Sequence, residues 1–174
     1  MYYAELHCHS HFSFKEGASS VEQLVTRAKE LNYQALALTD HDNLSGAMRF
    51  CKAARSQGID PIIGSEVTLN GGYHLTLLAQ NAEGYANLSR LISLAHVFSN
   101  GKTGPELSKE LLATHAKGLI ALSGCRHGEI ATLIEDGEMS RVNEIASDYM
   151  EWFGRENFYI ELQNNLTHGD TGRN

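Results

Sequence analysis

Two histidines separated by one residue, His7 and His9, follow a short predicted strand near the start of the chain. Side chains of a strand alternate between faces, so a His-x-His at a strand end places both imidazoles on one side. Two such imidazoles can bind one metal ion. Cys8 points the other way and is predicted to pack in the core. His11 lies beyond the predicted strand, and we expect it at the surface or behind the ligands.

An aspartate and a histidine, Asp40 and His41, directly follow the apolar run Ala35–Leu38. At the end of a strand, His41 could bind metal through its imidazole while the Asp40 carboxylate orients that ring. The same polar segment could also begin a helix, with Asp42 or Asn43 as its N-cap. The two interpretations are compatible, and the sequence leaves both open.

An acid in an apolar setting, Glu66, lies within the strand predicted for Pro61–Val67. A charged side chain is seldom buried without a partner, so Glu66 requires a cation. That cation is either a metal ion that the carboxylate bridges or the side chain of a lysine or arginine. His74 opens the next predicted strand, and an antiparallel hairpin through Asn70–Gly72 would return it to the same end of the sheet.

A cysteine, Cys125, follows the strand predicted for Gly118–Leu122. Its thiolate would favour zinc over magnesium, because soft sulfur ligands select softer metals. The alternative is a nucleophile with His127 as its base. Catalytic Cys–His pairs usually come from distant segments, so the spacing favours a metal ligand. The remaining histidines are expected in solvent: His96, His115 and His168.

The strands and helices that would position these residues are predicted from an alternation of short apolar runs and amphipathic stretches. The predicted strands are Tyr2–Leu6, Ala35–Leu38, Pro61–Val67, His74–Ala79, Gly118–Leu122 and Phe158–Leu162. The first predicted helix begins at a capping box formed by Ser19–Glu22. The second begins at Leu44 and has Met48 on its buried face. The other predicted helices are Ala82–Phe98, Glu106–His115 and Gly128–Phe153, the last of them broken at Asp136-Gly137. This alternation predicts an α/β fold with a largely parallel sheet, open or closed into a barrel. In either form, functional residues lie at the carboxyl ends of the strands. Most of these candidates are at such an end, and Glu161 is close to one.

Composition sets the outer limits on function. The chain has 174 residues, a net charge of −7 and 42% hydrophobic residues, which indicates a folded domain without an extended basic nucleic-acid surface. No apolar run is long enough to span a membrane, and the first residues lack the features of a secretory signal. Three scattered cysteines argue against a disulfide scaffold and favour the cytoplasm. Neither a P-loop nor a Gly-x-Ser-x-Gly motif is present.

The order of the motifs resembles a known family, the polymerase and histidinol phosphatase (PHP) superfamily. Within it the chain is most similar to the PHP domain at the N-terminus of bacterial DNA polymerase III alpha subunits and error-prone DNA polymerases. The segments that carry the resemblance are Leu6–Ser10, Glu16–Ser19, Ala37–Asn43, Ile62–Val67, His74–Ala79, Leu119–Cys125 and Phe158–Gln163. They extend over essentially the whole chain, and Tyr3–Cys8 with Phe12–Phe14 looks most like the error-prone branch.

The resemblance implies a distorted (βα)7 barrel that binds up to three divalent metals, zinc or manganese, with magnesium as a further option. The implied ligands are His7 and His9 for the first metal with Glu66 bridging, Glu16 and His41 for the second, and His74 with Cys125 for the third. Asp40 would not bind a metal itself but would orient a ligand that does. The polymerase pattern more often has Asp at the position of Glu16, and the longer side chain can still bind a metal.

One family feature is missing from the sequence. The family completes its metal set with an Asp-x-His near the end of the barrel, and no such motif follows Glu161. We therefore expect residues 1–174 to be a single PHP domain, truncated before its final strand and that motif.

The implied activity is that of a metal-dependent phosphoesterase that acts as a 3′–5′ exonuclease. Its substrate would be a DNA primer terminus, and its partners the remainder of a polymerase chain and other replisome subunits. Two alternatives remain at this stage. The domain could be a non-catalytic metal-binding module that braces the polymerase, or a stand-alone phosphatase similar to histidinol phosphatase.

Overall fold

The structure, a computed structural model, describes residues 3–99 and 104–164. Its strands are β1 (Ala4–Glu5), β2 (Ala35–Leu38), β3 (Asp60–Leu69), β4 (Tyr73–Ala79), β5 (Leu119–Leu122) and β6 (Phe158–Tyr159). Its helices are α1 (Val21–Glu30), α2 (Ala47–Ser56), α3 (Ala82–Phe98), α4 (Lys109–Thr114), α5 (Glu129–Glu135) and α6 (Met139–Phe153). The α/β class predicted from the alternation is confirmed.

The six strands form one sheet in the order β1-β2-β3-β4-β5-β6. Strands β1 to β3 are mutually parallel and β6 is parallel to β5, but β4 is antiparallel to both of its neighbours. The sheet is largely parallel, as predicted, and the predicted antiparallel hairpin reverses the chain direction at β4. The cause is the tight turn before it, where Gly71 and Gly72 have φ of 94° and 81°, values that glycine adopts readily. The reversal brings the first residues of β4 to the end of the sheet where β3 finishes.

The two faces of the sheet have different compositions. Val67, Leu75 and Leu77 lie on the face that packs against the helices and are fully buried. On the other face, Glu66 pairs with Thr76 and Thr68 pairs with His74. Farther along this second face the side chains are apolar and form a small cluster of Ala37, Ile62, Leu78, Ile120 and Leu122. Polar candidates thus line one end of a face that is otherwise apolar.

The sheet curls so that its two outer strands approach each other. His7, which follows β1, is 2.7 Å from Glu161, which follows β6. Between β1 and β6 lies a cavity of about 850 Å³, lined on the sheet side by the apolar cluster just described. The described residues therefore form an open, partial barrel of six strands. Among these residues, no helix is long and apolar enough to cross a membrane.

The start of α1 differs from the prediction by one residue. The observed capping box pairs Ser20 with Gln23: the Ser20 hydroxyl accepts from the Gln23 N–H at 3.2 Å, and the Gln23 side chain accepts from the Ser20 N–H at 2.8 Å. Ser19 and Glu22 were predicted for this role, and that prediction is wrong. The register that Ser20 sets buries Val21. Packing of the apolar face thus decides between two overlapping capping sequences.

Helix α2 also begins later than predicted, at Ala47. Its buried side chains are Ala47, Phe50 and Ala54. Met48 is 79% exposed, so the prediction that it lies on the buried face is wrong. Phe50 fills the core position because it lies one turn after Ala47 on the same side of the helix. The N-cap is Gly46, so neither candidate from the preceding loop caps this helix.

The other boundaries follow the predictions with local adjustments. Helix α3 has the predicted bounds, and the predicted break separates α5 from α6, with Gly137 at φ of 76°. Helix α4 is shorter than predicted because Ser108 caps it: its hydroxyl accepts from the N–H of Leu111. Strands β1 and β6 contain two residues each, fewer than predicted, because each has a hydrogen-bonded neighbour on one side only.

Candidate metal centre

A buried carboxylate, Glu66 on β3, lies at the centre of the polar end of the sheet and is 3% exposed. Its Oε1 is 3.5 Å from His7 Nε2 and 3.3 Å from His74 Nδ1. Its Oε2 is 3.4 Å from His9 Nε2 and 3.2 Å from His41 Nδ1. Four imidazoles, from two strand ends and one strand start, therefore surround a single carboxylate.

The electrostatics of this cluster keep Glu66 ionised. Burial alone would raise the pKa of Glu66, but the neighbouring imidazoles of His41, His7 and His74 hold it well below its usual range. For His9, burial is the largest influence and lowers the pKa. The centre thus combines one fixed negative charge with imidazoles of different proton affinity.

The donor set fits divalent metal ions. Glu66 Oε1 is buried and has no hydrogen-bond partner among the described residues, although two imidazole nitrogens lie within 3.5 Å of it. His7 Nε2 and His9 Nε2 face each other at 3.1 Å. A zinc–nitrogen bond of about 2.0 Å places tetrahedral ligand atoms roughly 3.3 Å apart, which matches this spacing. Two triads have ligand atoms close enough to share one ion: His7, His9 and Glu66, and His41, Glu66 and His74.

A second carboxylate, Glu16, reaches the cluster from the loop before α1. Its Oε2 is 3.4 Å from His9 Nδ1 and 3.3 Å from His41 Nδ1. The structure thus brings it to His41, the imidazole with which the resemblance groups it. The loop is tightly packed next to Glu16. A Cβ at Gly17 would lie 2.0 Å from the carbonyl oxygen of Ser10, so only glycine fits there without displacing the chain.

The cysteine candidate, Cys125, lies at the edge of the cluster. Its Sγ is 3.5 Å from His74 Nδ1, so the structure brings together the two residues implied for the third metal. Neither of the two triads includes it. Burial, together with the charge of Glu66, raises the pKa of this thiol to about 12. His127 contacts the sulfur through its backbone N–H at 3.4 Å, which is not the arrangement of a thiol and its catalytic base.

The structure places Asp40 behind the loop that follows His9. Its carboxylate accepts hydrogen bonds from the Ser10 N–H at 2.7 Å, the Ser10 hydroxyl at 2.8 Å and the Ser13 hydroxyl at 2.8 Å. The Ser13 oxygen in turn accepts from the backbone N–H of His41 at 2.9 Å. Asp40 therefore fixes the backbone around His9 and His41 through Ser10 and Ser13, rather than by contact with either imidazole.

The carboxylate against the His41 imidazole is Asp42, which the sequence predicted only as a helix cap. Asp42 Oδ2 is 3.2 Å from His41 Nε2, and the Thr68 hydroxyl lies 2.9 Å from the same nitrogen. Asp42 is itself fixed by the N–H and hydroxyl of Thr68. Burial lowers the pKa of His41, but hydrogen bonds to Asp42 and Glu66 outweigh it and raise the pKa to about 10.

A further carboxylate, Glu161 after β6, orients His7 and was not among the predicted site residues. Its Oε1 is 2.7 Å from His7 Nδ1, and its Oε2 is buried without a hydrogen-bond partner among the described residues. Thr76 and Gln163 also lie within 3.2 Å of this nitrogen. Burial lowers the pKa of His7, but the hydrogen bond to Glu161 and the nearby negative charge of Glu66 raise it to about 9. The position of Glu161 near the end of the last predicted strand, Phe158–Leu162, was the one signal in the sequence.

The other histidines lie outside the cluster. The His11 ring is 4.4 Å from that of Phe12, and His115 bonds to the carbonyl of its own helix. His96 is exposed, as predicted, but its Nε2 lies 2.9 Å from the carbonyl oxygen of Asp42. His168 lies outside the described residues.

Fold and site together define an α/β protein with a histidine- and carboxylate-rich candidate metal centre at one end of a curled sheet. The chain belongs to the PHP domain family, which matches residues 5–165. It is 44% identical to the error-prone DNA polymerase of Symbiobacterium thermophilum over 100% of this chain, and 40% identical to the DNA polymerase III subunit alpha of Treponema pallidum over 94% of it. The chain spans 17% and 15% of the length of these relatives.

Solved structures show the same fold. A protein from Bifidobacterium adolescentis, assigned as a metal-dependent phosphoesterase, aligns with a TM-score of 0.57 at 16% identity over 98% of this chain and 94% of its own. An amidohydrolase from Chromobacterium violaceum aligns with a TM-score of 0.51 at 18% identity, over 90% and 84% of the two chains. At these identities the likeness concerns the fold alone. The family and the PHP-type fold expected from the motifs are confirmed.

Proposed function

We propose that the chain is a metal-dependent phosphoesterase domain of a DNA polymerase III alpha-type protein, and that it removes nucleotides from the 3′ end of a DNA primer. The observation that carries the proposal is the buried Glu66 carboxylate with four imidazoles within 3.5 Å. The names of the full-length relatives support the polymerase context. Partners would then be the remainder of a polymerase chain and other replisome subunits, in the cytoplasm.

The candidate ligands divide as the family motifs imply. His7 and His9 would share a first metal with Glu66, His41 and Glu16 would hold a second, and His74 with Cys125 a third. Divalent ions supply two things to phosphoester hydrolysis: activation of water and neutralisation of charge on the phosphoryl group. The imidazole and thiol ligands favour zinc, and manganese would also fit the mixed nitrogen and oxygen set.

The protein's own residues have three tasks in this mechanism. Glu161 and Asp42 fix the ring orientations of His7 and His41 through hydrogen bonds of 2.7 and 3.2 Å. Burial of Glu66 keeps its charge from being screened by water, which strengthens its attraction for cations. Arg126, exposed beside Cys125, supplies positive charge for a phosphate at the same edge. This local charge matters because the chain as a whole carries −7.

The test is release of the terminal nucleotide from a primer with a labelled 3′ end, by the full chain loaded with Zn²⁺ or Mn²⁺. The His9→Ala variant should lose the activity, whereas His115→Ala, whose ring bonds only within its own helix region, should keep it. Metal content is measured in the same samples, so that loss of activity can be assigned to loss of metal.

Two other outcomes would replace the proposal. A chain with full metal content that releases no nucleotide, but loses thermal stability in chelator, would be the non-catalytic bracing module. A chain that hydrolyses histidinol phosphate and leaves the primer intact would be a small-molecule phosphatase.

A further inference from the structure

A cavity of about 550 Å³ lies directly beside the metal centre. It shares Glu16 and His41 with the centre, and Phe12, Phe14 and Pro105 also line it. Its volume is within the range of about 300–1,000 Å³ that is typical of sites for small organic ligands. A substrate group next to the metals would therefore have room to enter it.

The ring of Phe14 stands at the edge of this cavity and is 84% exposed, more than any other large hydrophobic side chain that the structure describes. The loop that presents it is rigidly built. Ser13 is buried, its hydroxyl donates to Asp40, and its carbonyl accepts from the N–H groups of Glu16 and Gly17. A buried network thus fixes the backbone that presents this exposed aromatic ring beside the candidate ligands.

The backbone at this loop carries a further sign of function. Lys15, between Phe14 and Glu16, has φ of 73°, in the left-handed region that a lysine rarely adopts. Such conformations persist where surrounding contacts impose them, and they concentrate at ligand-binding sites. The Lys15 ammonium lies 5.9 Å from the centre of the Phe14 ring, which places positive charge beside the aromatic surface.

The charge of the cavity indicates which part of a substrate it accepts. Its lining contains the acids Glu16, Asp42 and Glu106 and no lysine or arginine among the described residues. A second phosphate inside it would be repelled. A neutral planar group would not be, and it could stack on the exposed ring of Phe14.

We propose that Phe14 stacks on the terminal base of the nucleotide whose phosphoester lies at the metal centre, and that this cavity receives that nucleoside. The inference rests on the proposed function, because it assumes a nucleic-acid end as the substrate. It assigns the base to one defined side of the centre, the loop between β1 and α1. Stacking on an aromatic side chain accepts any base, since every base has a π-face.

The test measures binding without turnover. Single-stranded DNA with 2-aminopurine at its 3′ end, and with a hydrolysis-resistant phosphorothioate as its last linkage, is titrated into the full chain loaded with Zn²⁺. Quenching of the 2-aminopurine fluorescence reports stacking. Phe14→Ala should weaken binding by about 5- to 150-fold, the range for loss of one stacked base. Phe14→Tyr should restore it. Met139→Ala, which removes an exposed apolar side chain outside the cavity, should have no effect.

The specific control is an oligonucleotide that lacks the terminal base, with binding measured by competition. Phe14→Ala should not change its affinity. Equal weakening for both oligonucleotides, or no weakening for either, would overturn the inference. Nucleotide release by the metal-loaded chain is measured in parallel. Hydrolysis that Phe14→Ala leaves unchanged would refute the stacking role alone, whereas Phe14-dependent quenching without hydrolysis would refute the proposed activity alone.

Discussion

Metal binding to this centre should release about three protons at pH 7. In the metal-free chain the pKa of His7 is about 9, that of His41 about 10 and that of the Cys125 thiol about 12, so each holds a proton at neutral pH. A metal ligand must give up the proton at its donor atom. His9 adds little to the count, because burial lowers its pKa.

The assay is isothermal titration with Zn²⁺ in buffers of different ionisation enthalpy, where the dependence of the observed heat on the buffer counts the protons. The affinity should also rise with pH by about tenfold per pH unit for each proton released. Cys125→Ser should release one proton fewer than the unaltered chain. Cys51→Ser, a substitution in α2 away from the centre, is the matched control and should leave the count unchanged.

Binding of metal with no proton release would refute the reasoning, since the ion would then have bound groups other than these. A proton count that Cys125→Ser leaves unchanged would remove Cys125 from the ligand set while retaining the histidines.

Three further changes test the contacts around the centre. Glu161→Gln should lower the pH-independent metal affinity by about 10- to 100-fold, because it weakens the hydrogen bond that orients His7; a pH series of chelator competition measures this. Gly17→Ala should lower the free energy of unfolding by about 1–3 kcal/mol in urea denaturation, because its Cβ would meet the Ser10 carbonyl oxygen at 2.0 Å. The metal-free chain should lose thermal stability as pH rises from about 6.5 to 10. His7 and His41 have raised pKa values in the folded state, so the stability that their protons supply is complete below the unfolded pKa of about 6.5 and is lost through the folded values of about 9 and 10.

Each of these predictions has a control or a contrary result. Glu83→Gln alters an exposed ion pair with Lys117 and should not affect metal affinity. Gly104→Ala meets no atom within 4 Å and should leave the unfolding free energy nearly unchanged. A melting temperature that rises over the same pH range in chelator would show that His7 and His41 are not protonated partners of the carboxylates.

The sequence predicted the residues whose placement depends on local geometry. Strand alternation brought His7 and His9 together, and the hairpin turn returned His74 to the same end of the sheet as Glu66. Short-range periodicity contains this information, because the two-residue repeat of a strand and the reversal at a turn are both local. The comparison of Ser19 with Ser20 as the cap of α1 shows the limit: two adjacent serines satisfy the same local rule.

The sequence missed contacts that depend on how the sheet curls. Glu161 reaches His7 across 154 positions of the chain, and only the approach of β6 to β1 creates that pair. Asp42 was missed for a different reason. Its φ of 53° turns the chain just after His41, and its carboxylate therefore lies against the His41 imidazole. The sequence had predicted Asp40 to orient that ring. A left-handed aspartate is an uncommon conformation that residue type alone does not predict.

The pKa values explain how this centre could fold before it binds metal. Glu66 would be an isolated buried charge, at a cost of several kcal/mol, if its neighbours were neutral. In the metal-free chain the protons on His7 and His41 supply the opposite charge within 3.5 Å of it. A bound divalent ion would supply positive charge at the same place as those protons, so Glu66 has an opposite charge beside it in both states. The ligands can therefore be in position before the metal arrives, and chelator should lower the stability of the chain without unfolding it at neutral pH.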